Sequence, residues 1–260
     1  MQNKTPIIII AVLSVLALGL GYWYGLPKEG SGGGGKKEPE FLKQGLVAYY
    51  PFNGNAKDES GNGNDGEVTG AIFADDRNGQ PERACYFDGS LDYITMPTSS
   101  DADYSLGNFT ITFWAKFPRQ TASKVGWNGR YASLIQATDS QGKAVVIFAE
   151  SPKVNEVSFR LSSRHLVTDS SGVTDNQWRQ FVCIKESDAL VIYINGELNA
   201  VMKGVKIFDQ REPPKFMVLG AHLSDYPIQN LNGMMDDIRI YNRALSAAEV
   251  KALYEFEKVK

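Results

Sequence analysis

The stretch NLNGMMDDIRIYNRALSAAEVKALY, residues 230–254, combines a strand pattern with a helix start. Ile238 and Ile240 alternate with polar neighbours, which is typical of a strand that has one face on a core. Ser246 and Glu249 follow with the spacing of a capping box, which predicts a helix that runs to the end of the stretch. Because so short a helix is marginal on its own, we expect it to dock on the body of the domain.

Alternating apolar residues recur through the chain before this stretch. Residues 109–117 carry Phe, Ile, Phe, Ala and Phe at every second position, and residues 145–149 and 157–161 alternate in the same way. Asn195-Gly196 lies between two further runs and is a strong hairpin signal. Clusters of Gly, Asn, Asp, Pro and Ser separate the runs. The pattern predicts an all-β fold, a two-sheet antiparallel sandwich with one short C-terminal helix.

The composition is that of a globular protein without a basic face. The 260 residues are 43% hydrophobic and 22% charged, and the net charge is −3 with the two signs interspersed. A nucleic-acid partner favours a basic patch or stripe. We therefore expect no nucleic-acid partner.

The two cysteines, Cys85 and Cys183, lack the CxxC spacing of a zinc or redox site. Outside the cell they would be able to pair and join two strands covalently. Alternatively, each is a small buried hydrophobic residue within a strand. The sequence leaves both interpretations open.

The N-terminus has the pattern of a membrane anchor. Ile7–Leu26 is a run of 20 residues without a charge, long enough to cross a bilayer as a helix. Tyr22–Tyr24 lies at its end, where amphipathic rings favour the headgroup region. We predict an uncleaved transmembrane anchor over residues 1–26. The alternative is a cleaved secretory signal, since Lys4 supplies a basic start.

A linker and one domain are predicted after the anchor. Residues 27–40 contain five glycines and a serine in a row of six, so they have few side chains to bury and favour a flexible linker. Residues 41–260 contain all the strand patterns and no further linker. We therefore expect a single domain over that range.

Four stretches together carry a resemblance to a known family. They are GLVAYYPFNGN from Gly45, CYFDG from Cys85, FTITFW from Phe109 and the C-terminal stretch quoted above. With these motifs the chain resembles the laminin-G-like, concanavalin A-like family of bacterial surface proteins, from about Gly45 to Tyr254. The resemblance implies a jelly-roll sandwich on the extracytoplasmic side of a membrane. It implies no single ligand, because the fold hosts lectins, glycosidases, adhesion modules and structural domains.

The resemblance also raises the question of catalysis. Glucanases of this family place their acids on an ExDxxE strand, and a retaining glycosidase needs two carboxylates about 5 Å apart. The nearest match here is Glu186-Ser187-Asp188, which lies in a predicted turn and has Val191 where the last Glu belongs. We therefore predict that the chain is not an enzyme.

A structural calcium ion is a further implication of the resemblance. In the family's glycosidases it is held by an Asp that opens the last strand and by carbonyls near the first strands. The predicted calcium ligands here are Asp236, Gly89, Asp58 and Asn53, all of which offer oxygen atoms. The alternative is that Asp58 closes an Asx turn and Asp236 only caps its strand.

Two loops have the residue types of a carbohydrate site, which needs an aromatic platform with amide and charged partners. The candidate ligand-binding residues are Trp127, Asn128, Arg130 and Tyr131 in one loop and Asp225 and Tyr226 in the other. Their spacing matches no diagnostic motif, so this prediction depends on residue type alone.

These inferences combine into one leading function and one alternative. The leading hypothesis is a membrane-anchored, non-catalytic recognition module that binds a carbohydrate or a protein partner outside the cytoplasm. The alternative is an accessory or structural subunit of a larger membrane complex, with the sandwich packed on neighbouring subunits. A single tethered lectin gains little avidity by itself, which favours the alternative.

Overall fold

The structure is a computed structural model, and it describes residues 37–98, 107–118, 131–138, 144–150, 156–161, 164–167, 172–173, 175–205, 216–221 and 230–258. Glu38–Lys260 form one compact unit. Among the described residues, no helix is long and apolar enough to cross a bilayer. The predicted anchor, residues 1–26, and most of the predicted linker lie outside the described ranges.

Fifteen strands and one α-helix occur in these ranges. The strands are β1 (Leu46–Tyr50), β2 (Glu67–Thr69), β3 (Ile72–Ala74), β4 (Ala84–Asp88), β5 (Tyr93–Pro97), β6 (Phe109–Lys116), β7 (Tyr131–Thr138), β8 (Ala144–Glu150), β9 (Glu156–Leu161), β10 (Arg164–Val167), β11 (Arg179–Glu186), β12 (Ala189–Ile194), β13 (Glu197–Met202), β14 (Phe216–Leu219) and β15 (Asn232–Tyr241). A short 3-10 helix, Glu40–Lys43, precedes them, and helix α1, Ala247–Glu257, follows them.

The strands form two antiparallel sheets. The first sheet has the order β13-β12-β11-β6-β15-β4-β3, with β1 also paired to β15. The second sheet has the order β10-β9-β8-β7-β14-β5-β2. The predicted all-β antiparallel sandwich with a C-terminal helix is confirmed, and the arrangement is consistent with a jelly roll.

The main core lies between the two sheets. The alternate residues of β6 predicted to share a face, such as Phe113, are all buried in it. The ring of Phe181 on β11 stacks on that of Phe113, with centroids 5.4 Å apart, and on that of Phe117 at 6.2 Å. The period-2 pattern therefore identified the inward face correctly.

A second, smaller core covers the outer face of the first sheet. Its buried members are Leu42, Val182, Ile184, Tyr241, Leu245, Val250 and Leu253, which come from the 3-10 helix, the sheet and α1. For this reason Thr110, Thr112 and Trp114 are buried although they point away from the main core. Strand β6 therefore has two buried faces where alternation alone suggests one.

Helix α1 begins at the predicted capping box. The Ser246 hydroxyl accepts a hydrogen bond from the Glu249 backbone N–H at 3.3 Å, and the Glu249 carboxylate accepts one from the Ser246 N–H at 2.8 Å. These two bonds satisfy donors that a helix start leaves free. The helix ends at Glu257, about one turn beyond the predicted end at Tyr254.

The capping box leads to a first testable prediction. Ser246→Ala should lower the free energy of unfolding by about 1 kcal/mol, because the Glu249 N–H loses its acceptor. Urea unfolding followed by tryptophan fluorescence measures the change. Lys251→Ala, on an exposed position of the same helix, is the control and should shift stability by less than about 0.5 kcal/mol. Equal stability of Ser246→Ala and wild type would contradict the role of the cap.

The predicted hairpin at Asn195-Gly196 is present in the structure. Asn195 and Gly196 have φ values of 51° and 78°, as a two-residue turn of the primed type requires, and they connect β12 to β13.

Cys85 on β4 and Cys183 on β11 are separated by β15 and β6, which is about 14 Å at the usual strand spacing. A disulfide needs Cα atoms within about 7 Å, so the two cysteines do not pair.

Both cysteines are buried and free. Burial raises the pKa of the Cys85 thiol to about 12, with a smaller contribution from the charge of Asp92, and burial also raises the pKa of Cys183. A protonated, buried thiol behaves as a small hydrophobic residue. The second of the two interpretations given above is therefore correct.

Candidate functional site

Strand β15 changes its partner halfway along its length. On one side it pairs with β6; on the other, residues 232–235 pair with β4 and residues 238–241 pair with β1. At this switch the register shifts between Asp236 and Arg239, and Asp237 has a positive φ of 45°. The bulge presents two adjacent carboxylates where the N-terminal strands meet the C-terminal one.

One arginine binds both carboxylates. Arg77, from the turn between β3 and β4, has Nη1 2.5 Å from an Asp236 oxygen and Nη2 2.7 Å from an Asp237 oxygen. Nη2 also donates to the backbone carbonyl of Glu257, the last residue of α1, at 2.9 Å. The guanidinium lies over the Trp114 ring, 4.4 Å from its centroid. Arg77 therefore joins β15, β6 and the C-terminal end of α1 at one point.

A second buried arginine lies beside the first. Arg239 is 1% exposed, forms ion pairs with Glu257 and Glu38, and places its guanidinium 3.8 Å from the centroid of the Tyr49 ring. The Tyr49 hydroxyl donates to Asp237 at 2.6 Å. Burial raises the pKa of Tyr49 well above its ordinary value, so the hydroxyl keeps the proton that it donates.

Glu257 completes this group of residues from the helix side. One of its carboxylate oxygens accepts hydrogen bonds from Trp114 Nε1 at 2.8 Å and from Gln180 Nε2 at 2.9 Å. We call the set the buried charge cluster; its charged members are Arg77, Asp236, Asp237, Arg239 and Glu257. Two guanidinium groups thus face three carboxylates, and Glu38 adds a further carboxylate at the rim.

An open pocket of about 210 Å³ adjoins the buried charge cluster. Its lining includes Asn53, Asp76, Arg83, Asp236 and Asp237. Two of the four predicted calcium ligands, Asn53 and Asp236, therefore lie at the same pocket.

The other two predicted ligands, Asp58 and Gly89, are not part of the lining of this pocket. The Asp58 carboxylate accepts hydrogen bonds from the backbone N–H groups of Tyr49, Ser60 and Asn64, each at 2.9 Å. Partial burial raises the pKa of Asp58, but hydrogen bonds from Ser60, Tyr49 and Asn64 lower it by more, so the carboxylate stays charged. This is the turn-closing alternative of the sequence analysis.

Gly89 lies against Asn232 at the beginning of β15, four residues before Asp236. Four residues of a strand span about 13 Å, so this carbonyl is remote from the Asp236 carboxylate. The predicted ligand set does not fit a calcium ion, because Asp236 is already bound by Arg77. In the parts of the chain that the structure describes, no group of three or more His, Cys, Asp or Glu side chains could hold a metal ion. Calcium binding itself stays a prediction.

The predicted carbohydrate loops leave one end of the second sheet. Trp127, Asn128, Arg130, Asp225 and Tyr226 lie outside the described residues, and of Tyr131 only the strand position at the start of β7 is described.

The strands that carry these loops are neighbours. Leu219 of β14 pairs with Ile135 of β7, and the Gly220 N–H donates to the Leu134 carbonyl at 3.0 Å. Residues 119–130 precede β7 and residues 222–229 follow β14, so both loops attach at this end. We call it the loop end of the second sheet.

Described residues close the base of the second loop and border the loop end. The Leu231 N–H donates to the Gly220 carbonyl at 2.7 Å, which joins the two sides of the loop. A Cβ on Gly220, whose φ is 79°, would lie 2.3 Å from the Phe87 ring, so glycine is required here. The β4–β5 turn adds Leu91, which is 72% exposed.

Polar and apolar residues share the outward face of the second sheet beside this end. It carries Thr95 on β5, Ser133 and Gln136 on β7, and Ser158 and Arg160 on β9, which alternate with core residues of the same strands. Ser133, Gln136 and Ser158 are at most 2% exposed. Val218 of β14 pairs with Thr95 and with Gln136 in the same outward row, so this face is mixed rather than uniformly polar.

A family comparison agrees with this architecture. A family model described as the concanavalin A-like lectin/glucanases superfamily matches residues 88–251, which is more than half of the chain. The chain belongs to this superfamily. The sequence motifs had indicated the same family, and that prediction is confirmed.

Individual proteins are also similar to this chain of the concanavalin A-like superfamily. Paraclostridial mosquitocidal protein 1 of Paraclostridium bifermentans is 25% identical over 215 residues, which cover 76% of this chain and 16% of that protein. The solved binding domain of the same protein has a TM-score of 0.64 at 22% identity, over 82% of this chain and 52% of that one. The botulinum neurotoxin serotype D binding domain has a TM-score of 0.66 at 18% identity, over 84% of this chain and 53% of that one.

The matches cover only part of each similar protein. This chain of the concanavalin A-like superfamily spans about half the length of the solved binding domains and a much smaller part of the curated relative. At such identities, the solved structures establish the fold alone.

Sequence reasoning missed two of the residues that organise the superfamily domain here. Arg77 lies in a polar turn with no motif around it, and Glu257 lies beyond the predicted end of the helix. The available signal was the pair Asp236-Asp237 followed by Arg239 in a strand, since so many charges within a core strand require buried partners.

Proposed function

We propose that this chain is a non-catalytic binding module that takes a carbohydrate at the loop end of the second sheet. The observation that carries the proposal is the attachment of both candidate loops to neighbouring strands, β7 and β14. The two loops that carry residue types suited to a sugar are therefore attached at the same end of one sheet, although they are about 100 residues apart in the sequence. The N-terminal anchor, residues 1–26, would hold the module outside the cytoplasm.

The titles of the similar structures support a binding role. Two of them are binding domains by title, and a third is titled as the receptor binding domain of botulinum neurotoxin type G, with a TM-score of 0.60 and 19% identity. Those titles concern those proteins. Taken with the loop end, they favour recognition over catalysis for this chain as well.

The proposed binding depends on a rigid base and polar loops. Trp127 supplies the flat apolar surface on which a sugar ring packs, while Asn128, Arg130 and Asp225 supply hydrogen bonds to its hydroxyls. Gly220, with its bonds to Leu134 and Leu231, holds the second loop at its base. Loops on a rigid sheet lose less entropy on binding than free segments do.

A glycan array with the purified full chain tests the proposal. Trp127→Ala should weaken binding to the strongest glycan at least about tenfold, as expected for loss of an aromatic anchor. Phe216→Ala is a matched control, because Phe216 is 40% exposed at the other end of β14. Binding that both variants weaken equally, or no binding to any glycan, would contradict the proposal. Release of free sugar from the bound glycan would contradict its non-catalytic part.

A specific observation also favours the alternative function, a subunit of a membrane complex. Leu198 and Val201 on the edge strand β13 are 57% and 43% exposed. They continue an apolar row from Tyr193 and Val191 of the neighbouring strand. Contiguous apolar surface of this kind marks protein contacts. Purification from native membranes distinguishes the two functions, since stoichiometric co-purifying subunits would favour the complex.

A further inference from the structure

Arg77 places a positive charge where the family resemblance implies a calcium ion. Its guanidinium contacts one oxygen each of Asp236 and Asp237, and the backbone carbonyl of Glu257. Two carboxylate oxygens and a carbonyl are the oxygen donors that a hard cation prefers. We propose that Arg77 is a built-in cation that holds β15 and α1 together at this point, in place of a metal ion.

The shape of the guanidinium suits this role. Its forked N–H groups match two separate carboxylates and a carbonyl at the same time, which an ammonium group on a flexible stem does less well. Arg77 is 5% exposed and the two aspartates are 3% exposed at their side chains, so solvent does not compete for these bonds. Stacking on the Trp114 ring at 4.4 Å adds a cation–π contact.

A metal ion and Arg77 exclude each other at this point. The carboxylate oxygens of Asp236 and Asp237 lie 2.5 and 2.7 Å from guanidinium nitrogens, so a calcium ion that bound both would have to displace Arg77. A calcium ion and the Arg77 guanidinium bound side by side to these two carboxylates, with no water between them, would repel each other strongly. Calcium also needs six to eight oxygen ligands, whereas the Asp58 oxygens are engaged by backbone amides.

Thermal unfolding of the full chain, with EDTA and with millimolar calcium chloride, tests the proposal. The melting temperature of the wild type should be the same in both. Arg77→Ala should lower it by about 10 °C, because two buried carboxylates lose their partner. Arg83→Ala is the matched control, since Arg83 lines the same pocket but is exposed, and it should change the melting temperature by less than about 2 °C.

Two further variants keep the test decisive if Arg77→Ala does not fold. Arg77→Lys keeps the charge but loses the fork, so its melting temperature should lie between those of wild type and Arg77→Ala. A rise of the wild-type melting temperature with calcium that Asp236→Asn abolishes would overturn the proposal, and so would an Arg77→Lys variant as stable as wild type.

Discussion

Glu257→Ala should lower the free energy of unfolding by about 3–5 kcal/mol, the range for removal of one partner from a buried ion pair. The Glu257 carboxylate is fully buried, where it pairs with Arg239 and accepts from Trp114 and Gln180. After its removal a buried guanidinium, an indole N–H and an amide all lack this acceptor. Guanidinium unfolding followed by circular dichroism measures the change.

Glu257→Gln separates charge from shape at the same position. The amide cannot neutralise Arg239, so we expect the variant to be less stable than the wild type. Because the amide fills a similar volume, we expect this loss of stability to be smaller than for Glu257→Ala. Glu255→Ala is the control on the same helix, because Glu255 is exposed and its ion pair with Lys258 is at the surface. That variant should change stability by less than about 0.5 kcal/mol. If Glu257→Ala were as stable as Glu255→Ala, the buried charge cluster would have no structural role.

Phe181→Ala should cost about 3–5 kcal/mol of stability, the range for removal of a large aromatic side chain from a core. Phe181 is fully buried between the sheets and stacks on Phe113 and Phe117. Its loss leaves a cavity next to two rings that are held by their own strands. The same unfolding experiment measures the change.

The matched control for the core is an exposed apolar residue of the same sheet. Leu198 on β13 is 57% exposed, so Leu198→Ala should change stability by less than about 0.5 kcal/mol. Phe181→Leu keeps most of the volume and should lie between the two alanine variants. A Phe181→Ala protein as stable as Leu198→Ala would show that the region between the sheets is loosely packed.

The strands and the helix start were predictable because they depend on neighbours in the sequence. The face of β6 that enters the core follows from its alternation, and the start of α1 follows from Ser246 and Glu249, three residues apart. The Asn195-Gly196 turn is local in the same sense. In each case the residues that determine the structure lie within a few positions of each other.

The buried charge cluster was not predictable in this way. Arg77 meets Asp236 across 159 residues and Glu257 across 180, and no local pattern specifies such partners. The family resemblance implied calcium at Asp236; the structure shows the Arg77 guanidinium on that carboxylate, and calcium binding stays a prediction. The second core was missed for a related reason, since it forms only when α1 and Leu42 dock on the same sheet face.

The candidate carbohydrate site was predictable in part. Residue type selected Trp127 and Tyr226, and the register of β7 and β14 attaches their loops to the same end of a sheet. The requirement for Gly220 could not be read from the sequence, because it arises from the approach of Phe87, a residue on another strand.

The position of β15 has a consequence for how the chain reaches its native state. Strand β15, the last strand among the described residues, lies inside the first sheet, between β6 on one side and β4 and β1 on the other. Among the described strands, β15 is the only partner of β1, whereas β4 also pairs with β3, so β1 can join the sheet only once residues 238–241 are present. Folding in which early segments depend on late ones is slow, because long loops must close before any contact rewards them. We therefore expect β1 to be among the last strands to join the first sheet during folding, because its partner residues, 238–241, lie about 190 residues further along the chain.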